Sequence, residues 1–190
     1  MTTRHIDPPP PEEIDADALA GVADYDPRHD SEALLLSALL WAGQRGDLSP
    51  VRQALAIIDP ADFYRPPYAK VCAVIAERAE RDLPTDSASV VATLSAQGAH
   101  DGMTRRDTTE LMATLLGLQA NDLLAPEYAR QVLSISYRRQ FQRMVTKLAQ
   151  IAHDAPEDEL FNQLVACGQQ QRTAWQRFTS RRDATCLLYT

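Results

Sequence analysis

Long apolar runs are missing from this 190-residue chain. No stretch reaches the roughly 18–20 consecutive apolar residues that a membrane-spanning helix needs. The N-terminus, MTTRHIDPPPPEEIDADALAG, has no apolar segment after Arg4 of the kind a secretory signal carries. Cytoplasmic placement is the expectation. Glycine is scarce as well, with seven residues at 21, 43, 46, 98, 102, 117 and 168. None falls into the G-x-x-x-x-G-K-[ST] or G-x-G-x-x-G patterns whose backbone cradles phosphate, so no nucleotide or dinucleotide site is expected in these residues. The three cysteines, Cys72, Cys167 and Cys186, stand far apart without C-x-x-C spacing. They indicate neither a disulfide framework nor a zinc site. No two of His5, His29, His100 and His153 share a helical turn, which argues against a metal centre. No catalytic, cofactor-binding or metal-ligating residue is assigned.

Positive charge is in deficit: the net charge is −7. That balance works against non-specific attraction to DNA. The deficit is uneven, however. Up to Asp30 there are eight carboxylates against Arg4 and Arg28 alone, whereas residues 128–153 carry Arg130, Arg138, Arg139, Arg143 and Lys147 and no carboxylate. Arg138, Arg139, Arg143 and Lys147 are the candidates for contact with DNA or with a protein partner. A DNA-binding regulator that uses the basic helix 128–152 is the alternative function to weigh.

What the sequence has in abundance is helical pattern. Residues 1–29, with Pro8–Pro11 and an acidic stretch, read as a disordered arm. From Asp30 the punctuation is that of short helices. Ser31 caps SEALLLSALLWAG, apolar nearly all round and closed by Gly43 and Gly46, so it reads as the central buried helix. Ser49-Pro50 and Asp59-Pro60 each pair a cap with a proline suited to a first turn, and Asp62 beside Asp59 reads as capping chemistry. Pro66-Pro67 opens a helix with Tyr68, Val71, Cys72, Ile75 and Ala79 on one stripe. Phe63 and Tyr68 read as core anchors, with Tyr64 and Arg65 free to face a partner. Asp86 is an N-cap with Gly98 past the C-terminus. HDGMTRR is a loop, and Thr104 with Asp107 forms a capping box.

Pattern length changes at Pro126. One helix runs to about Ala152 with Leu133, Tyr137, Phe141, Met144, Leu148 and Ile151 on a stripe. Asp154 and Pro156 end it, and PEDELFNQLVACGQQQRTAWQRF follows with Leu160 and Leu164. Two long helices across so short a turn fold back as an antiparallel hairpin. The expectation is therefore all-α: a small globular head of five or six short helices (30–125), then the long hairpin (126–178), with no sheet. A hairpin has only two layers, so its outer apolar residues need another surface. A second copy is the simplest cover, which makes Leu133, Tyr137, Phe141, Met144, Leu148, Ile151, Leu160 and Leu164 the candidate dimer interface. Residues 179–190, ending TCLLYT, break the pattern and are compatible with read-through rather than native sequence.

The order of these features resembles a known family. From about Asp30 to Phe178 the chain is similar to the N-terminal domain of the bacterial replicative DNA helicase of the DnaB type. The resemblance rests on SEALLLSALLW, DPADFYRPPYAKVCAVIAE, LPTDSASVVATLSAQG and LQANDLLAPEYARQVLSISYRRQF. The matching positions are Glu32, Asp62, Phe63, Tyr64, Asp86, Leu94, Asn121, Tyr128, Ala129, Val132 and Arg139. Tyr68 stands where the family usually has histidine, and HDGMTRRDTTE replaces a glycine-rich run. The resemblance implies a non-catalytic domain that pairs through its hairpin, as a homodimer or within a hexameric assembly. It implies a collar over a RecA-type motor ring, with primase or a helicase loader as docking partners and only weak or indirect DNA contact. ATP and Mg²⁺ would enter only through a motor domain outside this chain. The chain would then be a piece of a helicase or a stand-alone homologue.

Overall fold

A computed structural model of the protein describes residues 26–97 and 104–184. The expected disordered arm and the Gly98 cap fall outside these, except that Pro27–His29 forms a 3-10 turn. The described residues are helical throughout, without a strand: α1 (Ser31–Gln44), α2 (Ser49–Ile57), α3 (Pro66–Glu80), α4 (Ser87–Ala96), α5 (Arg105–Gly117), α6 (Ala125–Asp154) and α7 (Glu157–Ala184). Further 3-10 turns span Pro60–Asp62 and Asp122–Leu124.

Helix α1 is the axle of the head. Ala33, Leu35, Leu36, Ala38, Leu39, Leu40 and Ala42 have no exposed surface, and α1 packs on α2, α3, α4, α5 and α6. Burying a leucine contributes about 1.5–3 kcal/mol, so this helix dominates head stability. Its cap differs from expectation. Asp30, not Ser31, takes the Glu32 N–H at 2.8 Å, while the Ser31 hydroxyl donates to Gln131 Oε1. The longer-reaching carboxylate sits at the extended residue before the helix, where a cap must be.

Gly46 ends α1 as expected. At φ +72° it allows its own N–H to reach Gly43 O at 3.0 Å and the Asp47 N–H to reach Ala42 O at 3.1 Å, the paired bonds of a Schellman turn. Gly43, by contrast, ends nothing. It lies inside α1, where a Cβ would come within 2.5 Å of the Thr85 backbone, so it is there for close packing. Two other expectations shift. Ser49 lies within the first turn of α2, and the Asp47 carboxylate takes its N–H at 2.9 Å. Arg105 and Arg106 belong to α5 rather than to the preceding loop. The Asp86 cap and the Thr104–Asp107 capping box form as the sequence indicates.

Helix α6 starts in the head, packed on α1 and α2, and leaves it to pair with α7. Helix α7 runs past the expected end at residue 178, as far as Ala184, and Arg181 in this extension donates to Ile57 O of the head.

Candidate interaction site

The chemistry of DPADFYR becomes clear once α7 lies beside it. The turn Pro60–Asp62 places Asp62 at zero exposure, facing both hairpin helices. Its carboxylate accepts the Asp59 N–H at 2.8 Å, the Ser136 hydroxyl of α6 at 2.9 Å and the Arg177 guanidinium of α7 at 2.9 Å. Arg177 also holds Asp59 at 2.7 Å, and Arg181 pairs with the same Asp59 oxygen at 2.9 Å while donating to Ile57 O. The carboxylate of Asp62 holds Arg177 protonated, moving its pKa upward. A buried carboxylate needs such company, since a charge taken out of water without a partner is costly.

A second carboxylate completes the clasp. Glu32 of α1, nearly buried, accepts the Tyr64 N–H at 2.7 Å and lies 3.6 Å from Arg139 of α6. Burial is the main cause that pushes the Glu32 pKa up, and the backbone donors of Tyr64 and Arg65 oppose it. Arg139 meanwhile donates to Asp62 O at 2.6 Å, and its guanidinium stands 5.4 Å from the ring of Tyr64, which is 66% exposed. Arg139 is therefore committed to the clasp, which corrects its candidacy for DNA contact. Arg138, Arg143 and Lys147 are exposed.

Other signature residues serve locally. Phe63 is buried in the core and Tyr128 packs against it. Asp86 accepts the Ser89 N–H at 3.0 Å, and Asn121 accepts the Leu123 N–H at 3.0 Å. Thus the structure unites Glu32, Asp62, Tyr64 and Arg139, leaves Asp86 and Asn121 as separate caps, and adds Ser136, Arg177 and Arg181. Those three were missed. The available signal was an arginine pair at i, i+4 flanking Phe178, whose partners lie more than a hundred residues earlier.

Beyond the clasp the hairpin is thinly covered. Leu133, expected at a dimer interface, is buried in the head core and cannot meet a partner. Tyr137 stacks on Phe178 with centroids 4.8 Å apart, and Trp175 lies 5.7 Å from Tyr137. Met144, Leu148, Ile151 and Leu160 are half-buried between the two helices. Phe141, Val145, Phe161, Leu164, Val165 and Trp175 are exposed. One face holds a groove of about 420 Å³ between α6 and α7, lined by Tyr137, Met144, Leu148, Leu164, Gly168 and Trp175 among others. A smaller hollow of about 250 Å³ is lined by Gln140, Arg143, Met144, Lys147, Cys167 and Gln170 among others.

Among the described residues no group of three or more His, Cys, Asp or Glu side chains could hold a metal ion, and no helix is long and apolar enough to cross a membrane. Burial also pushes the Cys72 thiol up, away from reactivity.

Comparison with known proteins places the chain in a family. The family model described as the DnaB-like helicase N terminal domain matches residues 26–134, from the first 3-10 turn into the near half of α6. Among solved structures, the chain is similar to the N-terminal domain of DnaB helicase from Mycobacterium tuberculosis. The two are 22% identical, with a TM-score of 0.62 and coverage of 75% of this chain and 94% of that one. A search of curated proteins finds no significant match.

Proposed function

The chain belongs to the family of DnaB-like helicase N-terminal domains, and on that premise we propose that it works in DNA replication as a collar module that assembles through its hairpin. The observation that carries this reading is the set of exposed apolar side chains on the hairpin, Phe141, Phe161, Leu164 and Trp175 among them, on an element only two layers thick. An apolar surface of this kind on a long, thin element suits a partner surface. A second copy covers it; primase or a helicase loader docks on the assembled collar. Nucleotide and Mg²⁺ are handled by a motor domain, and the cytoplasm is where the module acts.

Sedimentation equilibrium tests the assembly. A dimer or higher species is expected, and a strict monomer up to about 100 µM protomer rules it out. Phe141→Asp and Leu148→Asp are each expected to dissociate the assembly, because assembly would bury an unpaired charge.

The exposed Arg143 and Lys147 keep a second reading in view, a DNA-binding regulator. With Arg139 withdrawn into the clasp, that surface is small. Fluorescence anisotropy with duplex DNA at about 50 mM salt, where phosphate contacts are strongest, is expected to show no binding.

A further inference from the structure

One stripe of α6 carries Arg139, Arg143 and Lys147 at spacings of four residues, on one side of the helix. The first meets a carboxylate: Glu32, in the opening turn of α1, lies 3.6 Å from Arg139. Arg143 and Lys147 pair with no carboxylate among the described residues. Head arginines are placed differently, Arg45 with Asp122, Arg65 with Asp30 and Arg81 with Glu77. Around the basic stripe the hairpin has nothing to offer, since no carboxylate occurs on α6 between Glu127 and Asp154, nor on α7 between Leu160 and Arg182. Arg143 and Lys147 border the hollow of about 250 Å³ that Met144 and Cys167 also line. Nε2 of Gln171 lies on the same wall, buried and without a hydrogen-bond partner. A buried donor left unpaired is costly. The hollow is short of negative charge and of an acceptor alike.

Both are supplied by the chain itself. From Asp7 to Asp26 it carries seven carboxylates and no lysine or arginine. We propose that residues 12–17, EEIDAD, dock in this hollow of the same chain, with carboxylates on Arg143 and Lys147, one of their oxygens accepting from Gln171, and Ile14 over Met144. The root of the segment is in the right place. Asp30 caps α1, the Ser31 hydroxyl reaches Gln131 of α6 at 2.9 Å, and Glu32 faces Arg139, so the chain enters the head against α6. Arg143 and Lys147 stand about 6 and 12 Å further along that helix than Arg139, at 1.5 Å per residue. Residues 12–17 precede Asp26 by nine to fourteen positions, an extended reach of about 30–45 Å. Exposed ion pairs contribute little singly, but a tether of this length presents the segment at an effective concentration on the order of 1 mM. Docked, it covers the basic stripe, and an acidic partner must displace it to reach Arg143 and Lys147.

Lys70 and Lys147 are the two lysines of the chain, which makes carbodiimide coupling of a lysine amine to a neighbouring carboxylate a direct test. In the full chain at about 50 mM salt, Lys147 is expected to link to carboxylates of residues 12–17, as mapped by mass spectrometry. An equimolar mixture of ¹⁵N-labelled and unlabelled protein identifies the chains, and every such link is expected to join peptides of one label. Raising salt to about 500 mM is expected to lower the yield about tenfold. Arg143→Glu, at an exposed position, is expected to do the same at low salt while leaving coupling at Lys70 unchanged. Links of mixed label overturn docking within one chain. Lys147 without links to residues 12–17, or links indifferent to salt and to Arg143→Glu, overturns the proposal altogether. The test stands apart from self-assembly, because a strict monomer is expected to give the same links.

Discussion

Asp62 shows how much one side chain can hold. Four groups from three parts of the chain converge on it: the Asp59 N–H, the Ser136 hydroxyl, and two nitrogens of Arg177. Asp62→Ala leaves buried donors and a part-buried guanidinium without a partner, and a loss of about 3–5 kcal/mol in chemical denaturation is expected. Asp62→Asn keeps the shape and half the acceptors, so its loss should be smaller. Titration separates two kinds of carboxylate. The Asp86 and Asp107 pKa values lie below the ordinary 3.8, held down chiefly by the hydroxyls of Ser89 and Thr104. The stability they contribute is present above 3.8 and is lost as pH falls through their lowered values. Glu32 has the opposite sign. Its pKa is raised from 4.5 by burial, so its contribution is full below 4.5 and is lost as pH climbs through the raised value. Denaturation midpoints recorded against pH should therefore decline as pH drops below about 4 in the wild type. Glu32→Gln should flatten the decline above 4.5 and leave the acid limb unchanged.

At the scale of the element, helix ends are where local chemistry speaks directly. The Thr104 hydroxyl accepts the Asp107 N–H and the Asp107 carboxylate accepts the Thr104 N–H, a reciprocal cap read straight from the sequence. Thr104→Ala should cost about 1 kcal/mol, measured by thermal denaturation. The long hairpin was equally legible, because a stripe repeated over four or more turns has no competing period. Where reading failed, the deciding contact was distant in sequence. Gly43 looked like a helix stop, yet its reason is the Thr85 backbone, more than forty residues on. Leu133 shared the stripe of Phe141 and looked like interface. Helix α6, however, crosses from head to hairpin partway along its length, so one stripe serves the core first and the surface later. The clasp was half legible: Glu32, Asp62, Tyr64 and Arg139 stood out through the resemblance, while Arg177 and Arg181 carry no local mark.

For the whole molecule, burial is concentrated at one end. The core surrounds α1, while the outer hairpin keeps only the α6–α7 seam. Native-state hydrogen exchange should accordingly show slow amides in α1 and faster ones around residues 141–170 in dilute solution. Raising protomer concentration should slow exchange in that outer region alone, because a covering partner adds burial only there. The family model matches at that same end, over residues 26–134. That stretch carries nearly all of the core.

The clasp also makes the hairpin a lever arm. Helix α6 has 30 residues, a length of about 45 Å at 1.5 Å per residue. Its far half stands clear of the head, while its near half is gripped by Ser136 and Arg139 at Asp62. A tilt of about 5° about that fulcrum sweeps the outer 25 Å or so of helix through about 2 Å at its end, enough to bring opposed side chains into or out of contact. Two arginines and one aspartate near the pivot thereby govern the reach of a surface tens of ångströms away.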